Sequence, residues 1–193
     1  MSGNGERGRR GPGGRLLGPT LGERPAACLV PVYRDRRGIL RLVLVLRTPG
    51  GIHGGQLAFP GGAWEERDRS LLETALREAE EEIGLPRERV KVLAELPPVR
   101  TLVSRFRIHP FLARVERPAA WRLQAEEVEG VLEPSLEDLL RKEARGEDQR
   151  LLPGLPGPLR FPFVRLGTHK LWGATLRIAA PLLPRLQAGE WPL

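Results

Sequence analysis

The most regular hydrophobic pattern in the chain lies between Ser70 and Gly84. Apolar residues recur there at helical spacing, at Leu72, Ala75, Leu76, Ala79 and Ile83. At 100° per residue these side chains form one stripe about 100° wide, which predicts an amphipathic helix with one buried face. Ser70 and Glu73 have the spacing of an N-terminal capping box. Gly84, followed by Pro86, predicts the C-terminal end of the helix.

Short apolar segments on both sides of this helix predict β-strands. They are residues 26–33, 39–47, 90–96, 106–115, 127–132 and 159–164. A turn at residues 35–38 should join the first two strands as a hairpin. The glycine-rich segment 48–62 is predicted to be an irregular loop, and the polar, proline-rich stretch 145–158 a connection.

Two further helices are predicted after the strands. One covers residues 135–144, and the other begins near His169 or Leu171. Pro181 and Pro184 should kink or end the last helix, because proline lacks the N–H that an interior helical position donates.

The composition indicates a globular domain with an N-terminal tail. Of 193 residues, 40% are apolar and 28% are charged, which is typical of a folded chain. Residues 1–24 are rich in Gly, Arg and Pro and are expected to form a flexible tail, leaving residues 25–193 as the folded domain. The apolar runs are shorter than the ~20 residues of a membrane span, and no export signal is visible, so we expect a cytoplasmic protein without membrane contact.

Charge and cysteine content argue against several other classes. The only cysteine, Cys28, excludes an intramolecular disulfide and a cysteine zinc cluster, and its apolar neighbours predict a core position. A net charge of +7 is compatible with nucleic-acid binding, but the positive charge is dispersed and aromatic residues make up only 5%. Nucleic acid is therefore not the favoured partner. A homodimer is compatible with the sequence, which does not determine the oligomeric state.

The predicted helix also carries an unusual acidic face. Glu78, Glu81 and Glu82 lie together beside the apolar stripe, where like charges at this spacing repel one another. A solvated acidic surface is one interpretation. The alternative is a site for Mg²⁺ or Mn²⁺, which prefer carboxylate, carbonyl and phosphate oxygens. The preceding turn, residues 59–62, could bring a backbone carbonyl to the same face and favours the metal site.

At this point the sequence resembles a known family. Residues 77–85 read Arg-Glu-Ala-Glu-Glu-Glu-Ile-Gly-Leu, which is similar to the second half of the Nudix box, Arg-Glu-apolar-any-Glu-Glu-any-Gly-apolar. The first half differs, since Asp68 stands where the general box has a glutamate, and the spacing to Arg77 is one residue longer. The resemblance implies an α/β/α sandwich with a mixed sheet between helices, and an enzyme in which water attacks a diphosphate.

The resemblance also implies roles for individual residues. Glu78 and Glu82 would be metal ligands, with Glu81 as a third ligand, a ligand to a second ion or the general base, and the Gly61 carbonyl as a backbone ligand. Arg77 would either orient a metal-binding carboxylate or only balance the acidic helix. Outside the box, Glu126 and Glu127 are the other candidates for the general base, and both could instead belong to an exposed strand end.

Within this family the chain resembles the coenzyme A pyrophosphatases. Asp68 belongs to that variant of the box, and residues 46–48 and 53–62 are similar to the signature just upstream. The likeness continues to about residue 190. The signature's arginine is replaced by Gly51 here, so that Arg47 or Arg105 would have to supply the charge.

The implied substrate site consists of Arg47, His53, Gln56 and Phe59. Trp172 and Thr175 could line the same pocket or belong to the core, and His109 is expected to be structural. The implied products from coenzyme A are 3′,5′-ADP and 4′-phosphopantetheine. The alternatives are a Nudix hydrolase for ADP-ribose, NADH or dinucleoside polyphosphates, and a catalytically silent regulator that binds nucleotide or nucleic acid.

Overall fold

The structure is a computed structural model that describes residues 22–50, 54–101, 104–151 and 157–193. Over these residues the chain forms twelve strands: β1 (Arg24–Arg34), β2 (Leu40–Leu42), β3 (Leu44–Arg47), β4 (Leu57–Ala58), β5 (Gly61–Ala63), β6 (Val90–Glu95), β7 (Val99–Arg100), β8 (Phe106–Val115), β9 (Val128–Leu132), β10 (Arg145–Leu151), β11 (Pro158–Leu166) and β12 (His169–Trp172). The α-helices of the same residues are α1 (Leu71–Ile83), α2 (Leu136–Leu140) and α3 (Gly173–Gln187).

The largest sheet is mixed and has the strand order β2-β1-β8-β6. β1 and β8 are parallel, whereas β2 and β5 pair with β1, and β6 and β7 with β8, in antiparallel fashion. A second sheet has the order β4-β3-β9 and a third β10-β11-β12.

Alternate residues of β1 are buried on opposite faces of the main sheet. Leu29 belongs to the core cluster that contains Ala75, Ala79 and Ile83 of α1. Its neighbour Val30 belongs to the other cluster, which contains Leu139 of α2 and the apolar residues of α3. A strand with both faces covered must be apolar throughout, which explains the uninterrupted run at residues 26–33. The predicted α/β/α sandwich with a mixed sheet between helices is confirmed.

Several predicted elements are confirmed. The strands expected at 26–33, 90–96, 106–115 and 127–132 correspond to β1, β6, β8 and β9. The helix expected at 70–84 is α1, with Ser70 as its N-cap and Gly84 as its C-cap in the left-handed conformation at φ 65°. The capping box is only half formed. The Ser70 hydroxyl accepts a hydrogen bond from the N–H of Glu73, but the Glu73 carboxylate accepts one from the N–H of Arg69 rather than from that of Ser70.

Four expectations about secondary structure were wrong in part. The segment 39–47 is divided at Val43, whose N–H donates to the Pro31 carbonyl, so that β2 and β3 join different sheets. The helix at 135–144 ends at Leu140 and is followed by a 3₁₀ turn at Lys142–Ala144. The stretch 145–158 contains β10, and the loop 48–62 contains β4 and β5.

The C-terminal helix begins later and ends later than expected. Residues 169–172 form β12, which pairs with β11, so α3 starts only at Gly173. Pro181 and Pro184 do not end α3, which continues to Gln187. Leu182, Leu183 and Leu186 are buried on its inner face, and this packing offsets the hydrogen bonds that proline cannot donate.

Other expectations concern the tail, the cysteine and the membrane. Residues 1–21 lie outside the described residues, so the boundary at residue 24 stays a prediction. Cys28 is buried in the core as expected, and burial raises the pKa of its thiol far above the ordinary value. Among the described helices, none is both long and apolar enough to cross a membrane.

Candidate active site

The site is built where β5 crosses the face of α1. β5 pairs with β1, with Gly61 opposite Cys28 and Gly62 opposite Ala27, which places the glycine pair against the helix. A Cβ on Gly62 would lie 2.5 Å from the carboxyl carbon of Glu78. Only glycine allows the backbone to approach the carboxylate this closely.

Glu82 is the most buried carboxylate of the site. Its side chain is 1% exposed, and its Oε2 accepts a hydrogen bond of 3.0 Å from the N–H of Gly61. Its Oε1 is buried and has no hydrogen-bond partner, and the nearest cationic atom is Nη2 of Arg47 at 3.5 Å. Burial raises the pKa of Glu82 to about 7, and the Arg47 charge opposes this increase. A buried oxygen without a partner is costly unless a cation or donor satisfies it.

Arg77 connects three carboxylates from within the protein. Its guanidinium is bidentate to Asp68, with Nε 2.9 Å from Oδ1 and Nη2 3.0 Å from Oδ2. Nη1 donates to Glu78 Oε1 and to Glu81 Oε2, both at 2.8 Å. The hydrogen bonds from Arg77 hold the pKa of Asp68 well below its ordinary range. Asp68 also accepts a hydrogen bond of 2.9 Å from the Thr74 hydroxyl.

Glu78 and Glu81 differ in exposure although both contact Arg77. The Glu78 side chain is 13% exposed, and burial raises its pKa. The Glu81 side chain is 42% exposed and also pairs with Arg67 at 3.2 Å. Of the three glutamates that the helical pattern grouped together, Glu78 and Glu82 therefore face the glycine strand, whereas Glu81 reaches solvent.

Glu127 joins this group from the turn just before β9. Its Oε2 lies 3.8 Å from Arg47 Nη2, so that Arg47 stands between Glu127 and Glu82. The negative charge of Glu127 contributes to raising the pKa values of Glu78 and Glu82. The backbone carbonyl of the neighbouring Glu126 accepts a hydrogen bond of 2.9 Å from the hydroxyl of Thr48, the residue after β3.

The carboxylates are close to one another but are held by arginines. Among the described residues, no three His, Cys, Asp or Glu side chains are positioned to hold a metal ion as they stand. Arg77 binds Glu78 and Glu81, and Arg47 lies against Glu82. The donor set is nevertheless one of hard oxygens, and the buried Oε1 of Glu82 lacks a donor. Oxygen donors of this kind are the ones that hard divalent cations prefer.

A cavity of about 1220 Å³ opens beside this group. Arg47, Gln56 and the glycine pair line it at the carboxylate end, together with Glu126 and Glu127. Phe161 and Trp172 line the wall contributed by the third sheet, with ring centroids 5.9 Å apart in an edge-to-face arrangement. Thr175 also lines the cavity, and its hydroxyl donates to the Leu57 carbonyl at 3.2 Å, which ties α3 to β4.

The other residues predicted for the site lie in different environments. Phe59 lines the cavity but is only 4% exposed, so most of its side chain belongs to the core. His53, like Gly51, lies outside the described residues. Arg105 is exposed at φ 56°, next to cavity-lining Phe106. His109 contacts Glu95 at 3.4 Å, which agrees with a structural role.

The sequence pattern did not identify Phe161, Thr74 or Arg67 as parts of the site. Phe161 and Trp172 come together only through the pairing of β11 with β12. Thr74 and Arg67 reach the site through hydrogen bonds to Asp68 and Glu81. The burial of Thr74 is seen only in the structure, because its position lies outside the apolar stripe of the helix.

Comparison with known proteins agrees with this arrangement. A family model of the NUDIX domain matches residues 22–155. The uncharacterized Nudix hydrolase NudL of Citrobacter koseri is 41% identical over 128 residues, which cover 66% of this chain and 65% of that protein. NudL of Salmonella paratyphi B is 40% identical over 125 residues, 63% of this chain and 62% of that protein. The chain thus spans less than two thirds of the length of these curated relatives.

Solved structures agree at the level of the fold. A MutT/nudix family protein from Enterococcus faecalis superposes with a TM-score of 0.60 over 90% of this chain and 66% of that chain, at 20% identity. The Ap4A hydrolase of C. elegans superposes with a TM-score of 0.51 over 61% of this chain and 83% of that chain, at 19% identity. The family model covers most of the chain, including the glutamate helix α1 that forms the site described above. This protein therefore belongs to the Nudix hydrolase family.

Proposed function

We propose that this protein is a divalent-metal-dependent hydrolase of the diphosphate bond in nucleoside diphosphate derivatives. The observation that carries the proposal is the buried Oε1 of Glu82, which has no hydrogen-bond donor and lies on the Nudix helix beside a large cavity. Nudix hydrolases generally require divalent ions, and a cation at this oxygen would satisfy it.

The metal would be held by the glutamates that face the glycine strand. Glu78 and Glu82 are the proposed ligands, with the Gly61 carbonyl beside them and Glu81 as a third ligand or a ligand to a second ion. Arg77 is a positioning residue, because its bidentate bond to buried Asp68 fixes the guanidinium that contacts Glu78. A bound divalent ion would neutralise charge on the diphosphate and so favour attack by water.

Glu127 is the proposed general base. It lies at the cavity, where its Oε2 is 3.8 Å from the Arg47 Nη2 that contacts Glu82, whereas Glu81 is held by Arg67 and Arg77. Glu126 lines the same cavity, and the contact of Glu127 with Arg47 is what favours Glu127. The water oxygen forms the new bond to phosphorus, its proton passes to the Glu127 carboxylate, and the bond from phosphorus to the bridging oxygen breaks. Arg47 and Gln56, and His53 by resemblance, would hold the substrate.

Coenzyme A is the proposed substrate, with 3′,5′-ADP and 4′-phosphopantetheine as products. The resemblance to the coenzyme A pyrophosphatases supports it, and so does the cavity, whose wall on the third sheet carries Phe161 and Trp172. The alternatives are ADP-ribose, NADH and dinucleoside polyphosphates. The C. elegans Ap4A hydrolase does not decide between them, because 19% identity supports only a common fold.

A substrate panel tests the proposal directly. The protein would be incubated with coenzyme A, ADP-ribose, NADH or Ap4A and Mg²⁺ or Mn²⁺, and the products identified by mass spectrometry. We expect metal-dependent 3′,5′-ADP from coenzyme A, lost in Glu82→Gln and retained in Glu80→Gln, whose side chain is 53% exposed and pairs with Arg87. Preferential turnover of another diphosphate would overturn the substrate assignment. No turnover at all would leave a nucleotide- or nucleic-acid-binding regulator as the better interpretation.

Three expectations from the sequence stay predictions. They are the cytoplasmic location, the homodimer, and the flexible tail of residues 1–24. Size-exclusion chromatography with light scattering would decide the oligomeric state.

A further inference from the structure

Arg47 occupies an unusual position at the end of β3. Its backbone is fixed on both sides, since its N–H donates to the Gln56 carbonyl at 3.1 Å and its carbonyl accepts from Gly55 at 3.0 Å. The pairing of β3 with β9 shifts register between Leu46 and Arg47. The backbone is thus anchored at the mouth of the cavity, while the long side chain can reach either the carboxylates or the cavity.

The contacts of this side chain with the carboxylates are loose. Nη2 lies 3.5 Å from Glu82 Oε1 and 3.8 Å from Glu127 Oε2, and the Arg47 side chain is 30% exposed. Charge-assisted hydrogen bonds of arginine normally measure about 2.7–2.9 Å. The ion pair therefore neutralises charge without forming the short, directional bonds that would hold the guanidinium in place.

Arg77 provides the contrast within the same site. It is bidentate to Asp68 at 2.9 and 3.0 Å, and its side chain is 9% exposed. Releasing Arg77 would leave a buried carboxylate uncompensated, which is strongly destabilising. Releasing Arg47 would do the same to Glu82, unless another cation takes its place. Of these two arginines, Arg47 is therefore the one that can exchange with a cation.

We propose that Arg47 is an exchangeable counter-ion of the metal site. In the metal-free protein its guanidinium neutralises Glu82 and Glu127, and when a divalent cation binds at Glu82 the Arg47 side chain turns into the cavity and holds a phosphate oxygen of the substrate. Two cations cannot share the same carboxylate oxygens at low cost, because like charges repel strongly near a buried site. The substrate half of this inference rests on the proposed function, whereas the exchange itself concerns metal binding alone.

The first experiment measures metal binding without turnover. Mn²⁺ affinity would be determined by isothermal titration calorimetry for wild type, Arg47→Gln and Arg87→Gln. Arg87 is a matched control, because it contacts two carboxylates of helix α1 outside the proposed site. It lies 3.5 Å from Glu73 and 3.8 Å from Glu80. Without the competing cation, Arg47→Gln should bind Mn²⁺ about 10-fold more tightly, and its melting temperature without metal should be lower. Arg87→Gln should bind as wild type does.

Unchanged or weaker Mn²⁺ binding by Arg47→Gln would overturn the exchange, since Arg47 would then support the site rather than compete for it. If Arg47→Gln does not fold, the wild-type protein still provides a test. Arginine Nε–H signals would be followed by NMR during titration with diamagnetic Mg²⁺, and the Arg47 signal assigned by its loss in Arg47→Lys. We expect the Arg47 signal to shift at saturation while that of Arg77 shifts less. An unmoved Arg47 signal refutes the proposal.

The substrate half has a separate readout. Once Arg47 is released, its role is to bind phosphate, so Arg47→Gln should raise KM by about 10-fold or more with a smaller change in kcat. Tighter Mn²⁺ binding without any diphosphate turnover would support the exchange and refute the proposed function. Turnover with an unchanged KM would refute only the phosphate contact.

Discussion

Gly62 and Glu78 touch across the interface between β5 and α1, where an added Cβ would lie 2.5 Å from the Glu78 carboxyl group. The absent side chain of residue 62 thus determines where a carboxylate of the Nudix helix can stand. This contact joins the glycine strand β5 to the glutamate helix α1. The sequence shows only that these two parts of the motif follow one another along the chain.

Gly62→Ala should therefore impair activity with little loss of folding. The methyl group would push Glu78 away from the glycine strand, and we expect kcat/KM to fall by about 100-fold, as displaced catalytic groups commonly cause. Steady-state kinetics and circular dichroism would measure the two effects. Gly130→Ala is the control, because a Cβ there meets no atom within 4 Å. Equal activities of the two variants would show that the contact does not position Glu78.

Asp68→Asn should lower stability. The carboxylate side chain is 2% exposed and bidentate to Arg77, so its neutralisation leaves a buried guanidinium without full compensation. We expect the free energy of unfolding to fall by about 3 kcal/mol, measured by urea denaturation. Glu190→Gln removes the partner of Arg185 in an exposed ion pair and should change stability far less, because solvent screens such pairs. Similar effects of both substitutions would contradict a structural role for the Asp68–Arg77 pair.

The metal-free protein should become less stable as pH rises from about 4.5 to about 7. Burial raises the pKa of Glu82 to about 7 from the ordinary 4.5, so in this window the folded protein holds a proton that the unfolded chain has lost. The free energy of unfolding therefore falls by up to about 3 kcal/mol as pH rises. The loss is complete above the pKa of Glu82 in the folded protein. Urea denaturation in EDTA at several pH values measures this. Glu82→Gln should reduce the slope, and an identical slope would exclude Glu82 as its source.

Glu127→Gln should slow the chemical step. A general base typically contributes 10²–10⁴-fold, so we expect kcat, measured by steady-state kinetics, to fall by about that factor. Glu126→Gln provides the neighbouring control and should retain activity within a few-fold. If Glu81→Gln instead lowered kcat by this factor while Glu127→Gln did not, the base would lie within the Nudix helix.

Trp172→Leu should weaken substrate binding more than it slows turnover. The indole lines the cavity on the third sheet and contacts Phe161 edge-to-face, far along the chain from the carboxylates. We expect KM to rise by about 10-fold, because one large aromatic contact contributes about 1–3 kcal/mol. Trp191→Leu is the control, since that ring packs under Arg185 with its centroid 4.6 Å from Cζ. Equal KM values for both variants would remove this wall from the substrate site.

The sequence predicted the elements whose determinants are local. Helix α1 follows from its apolar spacing, the Ser70 cap and Gly84, since each acts within one or two turns of backbone. The apolar runs of β1 and β8 were recognisable for a similar reason, because strands covered on both faces need apolar residues throughout. The same local geometry placed Glu78, Glu81 and Glu82 near one face of the helix.

The errors arose where long-range pairing decides the structure. β10 forms in a polar stretch because β11 supplies its hydrogen bonds, and residues 169–172 form a strand rather than a helix because they pair with the same partner. The two prolines of α3 are tolerated because its leucines are buried.

By itself, then, the sequence determined the Nudix helix, the spacing of its glutamates and the mixed sheet between helices. Only the tertiary structure decided that Glu82 is buried while Glu81 reaches solvent, and that Arg47 stands between Glu82 and Glu127. The spacing of residues on a helix is fixed by backbone geometry, but burial and charge pairing depend on which distant segments fold against that helix. Sequence spacing alone cannot give those contacts.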